Sequence, residues 1–208
     1  MEKDLKFHFK PVRYLLPEEL LEAHETLNSE AKPGSIEEFC YFYKVRFDTS
    51  LSGCGRESSV QESWEKSSPV FLVWIATRPG VLTEKELRLF SVWSSRQVQH
   101  LMEHSSSLEV LDVAESFARG LTKEDQLRRA WHEARRTAES LDLYPSNDVR
   151  QIAAWSAALA GSLNLESVAE VPRWASIAAH PNENLAFEDQ ARWLRGNVSP
   201  NFTLASRK

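Results

Sequence analysis

Residues 83–103 carry the clearest helix signal in this 208-residue chain. Thr83 and Glu86 have the spacing of a capping box, in which each side chain bonds the other residue's backbone amide at a helix start. Apolar residues then recur every three or four positions, which predicts a helix packed on a core through one face. That face comprises Leu87, Phe90, Trp93 or Ser94, Gln97 and Leu101, widened by Leu89 and Val98. We expect Arg88, Arg96 and Glu103 on the wetter side, and the helix to end near His104.

The segments after residue 69 also follow helical patterns. Residues 69–77 form an apolar run whose proline at the first position favours a buried helix over a buried strand. Gly120 is placed to end the helix that begins near Leu108, and one of Ser105, Ser106 and Ser107 is expected to cap its start. Pro172 is expected to divide residues 166–179 into two short helices.

Tryptophan spacing bears on how these helices are arranged. Trp74 and Trp93 lie nineteen positions apart, and so do the members of the series Trp155, Trp174 and Trp193. This spacing indicates stacked antiparallel helices or a degraded helical repeat. The plainer alternative is that helices of similar length each need one large core anchor.

The N-terminal part has a different pattern. Residues 5–9 alternate as a strand does, a helix is predicted from Pro17, and residues 39–47 are expected to form a helical turn and then a strand. Residues 48–68 are rich in serine, glycine and charge, which predicts a long loop. We therefore expect an N-terminal appendage over residues 1–68 and a helical domain over residues 69–208. The predicted fold is mainly α: a multi-helix bundle or irregular helical solenoid with a small mixed α/β N-terminal part.

Composition excludes several protein classes without naming a function. Apolar residues make up 42% and charged residues 26% of the chain, which is ordinary for a globular protein. The net charge of −5 disfavours a protein devoted to binding phosphate backbones. No apolar run is long enough for a membrane span. Cys40 and Cys54, with no secretory segment before them, predict reduced thiols in a cytoplasmic protein.

Three segments carry a family resemblance. EKELRLFSVWSSRQVQHLMEHSS at residues 84–106, VLDVAESFARGLTKEDQLRRAWHEAR at 110–135 and FEDQARWLRGNVSPNF at 187–202 resemble uncharacterised, alanine-rich, all-helical bacterial proteins abundant in planctomycetes. The resemblance covers about residues 70–202. It implies an all-helical fold. That family has no established activity that could be assigned to this chain. Where that family tends to have paired cysteines, this chain has Trp93, Ser94 and Ser95, so a thiol or metal role there is not implied.

One motif suggests metal chemistry. His100, Glu103 and His104 match the H-x-x-E-H pattern, in which two imidazoles on one helix face bind Zn²⁺ and the glutamate acts as general base. Loose candidates for a third ligand are Glu170, Glu183 and Glu188. The alternative is a solvated helix end, where histidine interacts favourably with the helix dipole. We favour the alternative, and therefore expect no cofactor.

A basic stripe suggests a binding surface. Arg128, Arg129, His132, Arg135 and Arg136 lie opposite the apolar face of their predicted helix, and we call them the arginine stripe. Such a stripe can meet an acidic protein surface or a phosphate backbone, although it is more often a solvated face offset by neighbouring acids. The leading hypothesis is non-enzymatic binding of another protein, as an adaptor, regulator or immunity-type factor. A zinc-dependent hydrolase and a nucleic-acid-binding protein are the alternatives.

Overall fold

The computed structural model describes residues 31–43, 49–141 and 148–202. Within these ranges the chain is mainly α-helical, with one isolated β-bridge between Ser35 and Ser59 and no β-strand. The chain divides into two compact units, residues 1–71 and 72–208. The strand predicted at residues 5–9, the helix predicted from Pro17 and the strand part of residues 39–47 beyond Tyr43 lie outside the described residues. None of the described helices is long and apolar enough to cross a bilayer.

The described part of the first unit contains three short helices. They are α1, Ile36–Phe42, α2, Thr49–Ser52, and α3, Val60–Lys66. Ser35 caps α1 by accepting a hydrogen bond from the Glu38 amide at 3.2 Å. The Ile36 amide donates to the Ser58 carbonyl at 2.8 Å, which joins the start of α1 to the residues that precede α3.

The loop predicted over residues 48–68 is wrong, because α2 and α3 lie within it. The start signal for α3 is present in the sequence: Ser59 accepts a hydrogen bond from the Glu62 amide at 3.1 Å. Val60 and Trp64 are then buried at helical spacing. The serine-rich composition obscured this cap, although serine is among the residues preferred at helix N-termini.

Cys40 packs as a small apolar residue. Its side chain is fully buried in α1, and both Cys40 and Cys54 are free thiols. Burial, together with the nearby charge of Glu37, raises the pKa of the Cys40 thiol to about 12. The thiolate is the reactive form, so Cys40 is chemically inert at neutral pH.

The remaining helices follow in sequence, separated by short connections. They are α4, Pro69–Ala76; α5, Glu84–Arg96; a 3-10 helix, Gln99–Leu101; α6, Ser105–Ala118; α7, Glu124–Ser140; α8, Val149–Ala160; α9, Leu165–Ala178; and α10, Glu183–Asn197. The predicted capping box is formed, with the Glu86 carboxylate accepting from the Thr83 amide at 2.9 Å. Gly120, with φ of 73°, ends α6 as predicted. His104, and none of the three serines, is the N-cap of α6.

Helix α5 ends at Arg96, so the single helix predicted to run to His104 is wrong. After Arg96 the amides of Gln97 and Val98 bond to carbonyls three residues back, which tightens the chain into the 3-10 helix. This change of period buries Val98 and Met102 and leaves Gln97 exposed.

Arg88 is buried, contrary to the prediction that it lies on the wetter side of α5. Only 2% of it is exposed. Its guanidinium donates to the Ser162 carbonyl at 2.7 Å, the Leu163 carbonyl at 3.4 Å and Glu84 at 2.9 Å. It also lies 5.2 Å from the centre of the Phe117 ring. Arg88 therefore joins α5 to the connection between α8 and α9.

Pro172 does not divide α9, which is one helix from Leu165 to Ala178. Proline has no amide hydrogen, so the carbonyl four residues earlier, that of Val168, loses its usual helical donor. The Ser91 hydroxyl of α5 donates to this carbonyl at 2.8 Å. One turn further along α5, Ser95 bonds the Ser156 hydroxyl of α8 at 2.8 Å. We call Arg88, Ser91 and Ser95 the polar seam.

Helix α8 is the centre of the second unit and packs against α5, α6, α7, α9 and the 3-10 helix. Its small side chains make this possible: Ala153, Ala154, Ala157 and Ala158 are all buried. Small residues let helix axes approach closely. At the end of α8 a Cβ on Gly161 would lie 2.3 Å from Val110 Cγ2 of α6.

The tryptophans lie at packed positions in the described residues. Trp64 and Trp74 are buried, and Trp93, Trp131, Trp155, Trp174 and Trp193 are half-buried. The Trp193 ring stacks on Phe90 and on Trp93, with ring centres 5.4 Å and 5.6 Å apart. These contacts join α10 to α5.

The close contact at Gly161 leads to a first prediction. We expect Gly161→Ala to lower the free energy of unfolding by about 1–3 kcal/mol, the usual cost of overpacking, because the buried and β-branched Val110 has little freedom to move. Urea denaturation measures the change. Gly196→Ala in α10 is the control: a Cβ there meets no atom within 4 Å, so the free energy of unfolding should stay equal or rise. Equal effects of the two substitutions would contradict the packing described here.

The buried guanidinium leads to a second prediction. Arg88→Ala should lower the free energy of unfolding by about 3–5 kcal/mol, since it removes hydrogen bonds to two carbonyls, one of them fully buried, and leaves a cavity. Lys85→Ala, at an exposed position on the same helix, should change it by less than about 0.5 kcal/mol. Urea denaturation of both variants tests this. A cost for Arg88→Ala as small as that of Lys85→Ala would show that Arg88 is solvated.

Candidate functional site

All five residues of the arginine stripe lie on α7 and are exposed. The opposite face of α7 supplies the buried residues Leu127, Ala134 and Ala138, as predicted. The helix is therefore amphipathic, with its apolar side in the bundle and the stripe facing solvent. The structure brings the stripe together as one continuous surface.

Carboxylates on α7 already pair with much of the stripe. Arg128 forms an ion pair with Glu124, and Arg136 forms one with Glu133. Arg135 Nε donates to Glu139 at 2.8 Å. Such exposed pairs contribute little to stability and exchange readily with a partner's charges. The surface thus presents alternating charges of both signs.

An aromatic ring lies within the stripe. Trp131 is half-buried, and its ring centre lies 4.7 Å from that of His132. The guanidinium carbon of Arg135 lies 5.6 Å from the Trp131 ring centre, within the range of a cation–π contact. Trp131 therefore offers a partly exposed apolar surface surrounded by hydrogen-bond donors.

The H-x-x-E-H residues do not share a helix. His100 lies in the 3-10 helix, whereas His104 precedes the first residue of α6 as its N-cap. The Glu103 carboxylate accepts a hydrogen bond from Arg150 Nη1 at 3.1 Å. Glu103 and His104 line a small cleft of about 30 Å³, while His100 lines a different cavity. The i, i+4 helical geometry that motivated a zinc site is therefore not formed.

The loose third-ligand candidates do not assemble with these histidines. No group of three or more His, Cys, Asp or Glu side chains suited to a metal ion occurs in the part of the chain that the structure describes. Glu183 bonds His180 Nδ1 at 3.1 Å, while Glu170 lies on α9 and Glu188 on α10. Measuring the zinc content of the purified protein tests the hydrolase alternative directly.

Sequence reasoning missed a cavity in the second unit. It has a volume of about 320 Å³ and is lined by residues of α5, the 3-10 helix, α8, α9 and α10. Ser94 and Gln190 line it, and both are buried. No local pattern could have found it, since the residues that line it lie between positions 94 and 190 of the chain.

Comparisons with known proteins identify no relative. No family model matches the chain, and neither does any curated protein or any solved structure. The resemblance to the planctomycete-abundant helical family therefore stays a prediction.

Proposed function

We propose that the protein is a non-enzymatic binding protein whose partner is another protein, and that the arginine stripe contacts this partner. The observation that supports the proposal best is the cluster on α7 of half-buried Trp131 with exposed His132 and Arg135. Tryptophan and arginine are the residue types that most often dominate the binding energy of protein interfaces. An adaptor, a regulator or an immunity-type factor would use such a surface.

The charge balance of α7 favours a protein partner over nucleic acid. Its four arginines are matched by four acids, Glu124, Asp125, Glu133 and Glu139. A phosphate backbone presents only negative charge, so it would be repelled by these acids as well as attracted by the arginines. A protein surface that carries both signs can be complementary to the whole face.

Charge reversal in the stripe tests the proposal. Arg128→Glu combined with Arg135→Glu should reduce the recovery of the partner from native lysate about tenfold or more, since a hot-spot residue contributes over 1 kcal/mol. Arg119→Glu is the matched control. Arg119 and Arg128 are both 52% exposed, and each pairs with a glutamate four residues earlier. Quantitative mass spectrometry of cross-linked complexes measures recovery against the wild type.

The outcomes separate the hypotheses. Recovery that is lost in the double variant and kept in Arg119→Glu supports the stripe as the interface. Equal recovery by wild type and double variant, or no protein recovered reproducibly with the wild type, contradicts the proposal. Salt-sensitive retention on a phosphate column that the double variant abolishes would favour the nucleic-acid alternative instead.

A further inference from the structure

Helix α10 is held to the second unit by few buried side chains. The helix and the non-helical residues 198–202 follow an exposed connection at positions 180–182, and we call them together the C-terminal arm. Of the fifteen residues of α10, Gln190, Ala191 and Leu194 are buried, whereas eight of the twelve residues of α8 are. Since packing of buried side chains provides most of the stability of a helix in a protein, α10 is bound more weakly than α8.

The first half of α10 has no buried residue. Positions 183–189 are half-buried or exposed, and the Leu185 side chain is 57% exposed. The Asp189 carboxylate forms an ion pair with Arg192 of the same helix, which does not join α10 to another element. The contacts that hold the arm to its neighbours therefore lie in the second half of α10 and beyond.

One buried polar atom lowers the stability of this packing. Gln190 Nε2 donates to the Pro172 carbonyl at 2.8 Å and to the Ser176 hydroxyl at 3.1 Å. The amide oxygen of Gln190 is buried and has no hydrogen-bond partner among the described residues. A buried acceptor without a donor costs free energy, which is recovered when the group reaches water. The side chain that anchors the middle of α10 therefore also favours its detachment.

Two aromatic side chains of α5 lie against the second half of α10. The Trp193 ring stacks on those of Phe90 and Trp93, with ring centres 5.4 Å and 5.6 Å apart. Phe90 is fully buried in this arrangement. Separation of α10 from α5 would therefore uncover an apolar face of α5 that the closed arm keeps from water.

Backbone hydrogen bonds join the residues after α10 to the start of α5. The Asn201 amide donates to the Val81 carbonyl at 2.8 Å. The Ser199 amide donates to the Glu86 carboxylate, which also accepts from Thr83 in the capping box. Burial alone would raise the pKa of the Glu86 carboxyl, but the hydrogen bonds from Thr83 and Ser199 outweigh it and lower the pKa. The ionised carboxylate thus bonds both the helix start and the arm.

We propose that the C-terminal arm detaches as one cooperative unit while the rest of the second unit stays folded, and that its hydrogen bonds to Val81 and Glu86 break in this opening. The exposed connection at positions 180–182 is the hinge, and the aromatic face of α5 formed by Phe90 and Trp93 is uncovered. Proteins open locally in such units, and the elements that open first are those with few buried contacts. The arginine stripe lies on α7 and shares no residue with the arm, so the opening is independent of the proposed partner binding.

Hydrogen exchange of the full chain, followed by NMR, gives a protection factor for each amide. The amides of α10 should share one protection factor, roughly a hundredfold or more below that of the α8 amides, because α8 exchanges only when the whole unit unfolds. Urea below the unfolding transition should lower protection in α8 more steeply than in α10, since unfolding of the whole unit exposes more surface.

Gly161→Ala separates local opening from unfolding of the whole unit. The added Cβ meets Val110 Cγ2 of α6 outside the arm, so the strain is present whether the arm is closed or open. Protection in α8 should therefore fall roughly tenfold or more, the usual effect of overpacking, while protection in α10 stays unchanged.

Asn201→Pro and Asn201→Ala form a matched pair for the bonds of the arm. Both variants lose the same side chain, and the proline also lacks the amide that donates to Val81. Protection in α10 should be roughly fivefold lower in the proline variant than in the alanine variant, the loss expected for one hydrogen bond.

Glu86→Gln tests the second bond of the arm. The substitution removes the charge that strengthens the bond from Ser199, so protection in α10 should fall roughly threefold. Glu109→Gln, at an exposed position of α6, removes the same charge away from the arm and should leave protection in α10 unchanged.

Four results would overturn the proposal. Protection that declines gradually along α10 would show fraying of single turns, and protection equal to that of α8 would show that the arm opens only with the whole unit. A loss in α10 as large as in α8 for Gly161→Ala would lead to the same conclusion. Equal protection of α10 in the two Asn201 variants, or in Glu86→Gln and the wild type, would show that the bond in question persists in the open state.

Discussion

The hydrogen bond from the Ser91 hydroxyl to the Val168 carbonyl is the contact on which the arrangement of the second unit depends. Pro172 has no amide hydrogen, so α9 contains a buried carbonyl without its helical donor. An unpaired buried carbonyl costs about 1–3 kcal/mol. The Ser91 hydroxyl of α5 provides a donor from outside α9 and so avoids this cost. The proline therefore favours the register in which Ser91 lies against the Val168 carbonyl.

The rest of the polar seam reinforces the same register. Arg88 binds the carbonyls of the connection between α8 and α9, and Ser95 bonds Ser156 on α8. Apolar contacts tolerate sliding between helices, whereas these bonds are satisfied in one alignment only. The same alignment places Ser94 at the cavity and Trp93 against Trp193. The cavity is thus a consequence of how α5 docks on α8 and α9.

Sequence patterns were informative where structure depends on near neighbours along the chain. The cap at Thr83, the end of α6 at Gly120 and the apolar face of α7 all follow from residues within a few positions. Periodicity placed Leu87 and Phe90 of α5 correctly on the buried face, but it put Arg88 on the wetter side and did not predict that the polar seam is buried. Its burial depends on a proline about eighty positions later, and on carbonyls that no local pattern can locate.

The candidate sites were predictable to different extents. The arginine stripe is a local pattern, and the structure forms it as one exposed surface. The H-x-x-E-H motif is also local, yet it assumed a continuous helix. Extended backbone at Met102 and His104 instead separates the 3-10 helix that holds His100 from α6. The cavity requires long-range packing, so it could be recognised only after the helices were placed.

A double-mutant cycle between Ser91→Ala and Pro172→Ala tests the central claim most directly. In the wild-type background Ser91→Ala should cost about 1–3 kcal/mol of unfolding free energy, because the Val168 carbonyl loses its donor. In the Pro172→Ala background the new amide of residue 172 supplies that donor, so the cost should fall by about 1–2 kcal/mol. A cost of Ser91→Ala that is the same in both backgrounds would show that the proline and the seam are unrelated, and would contradict this account.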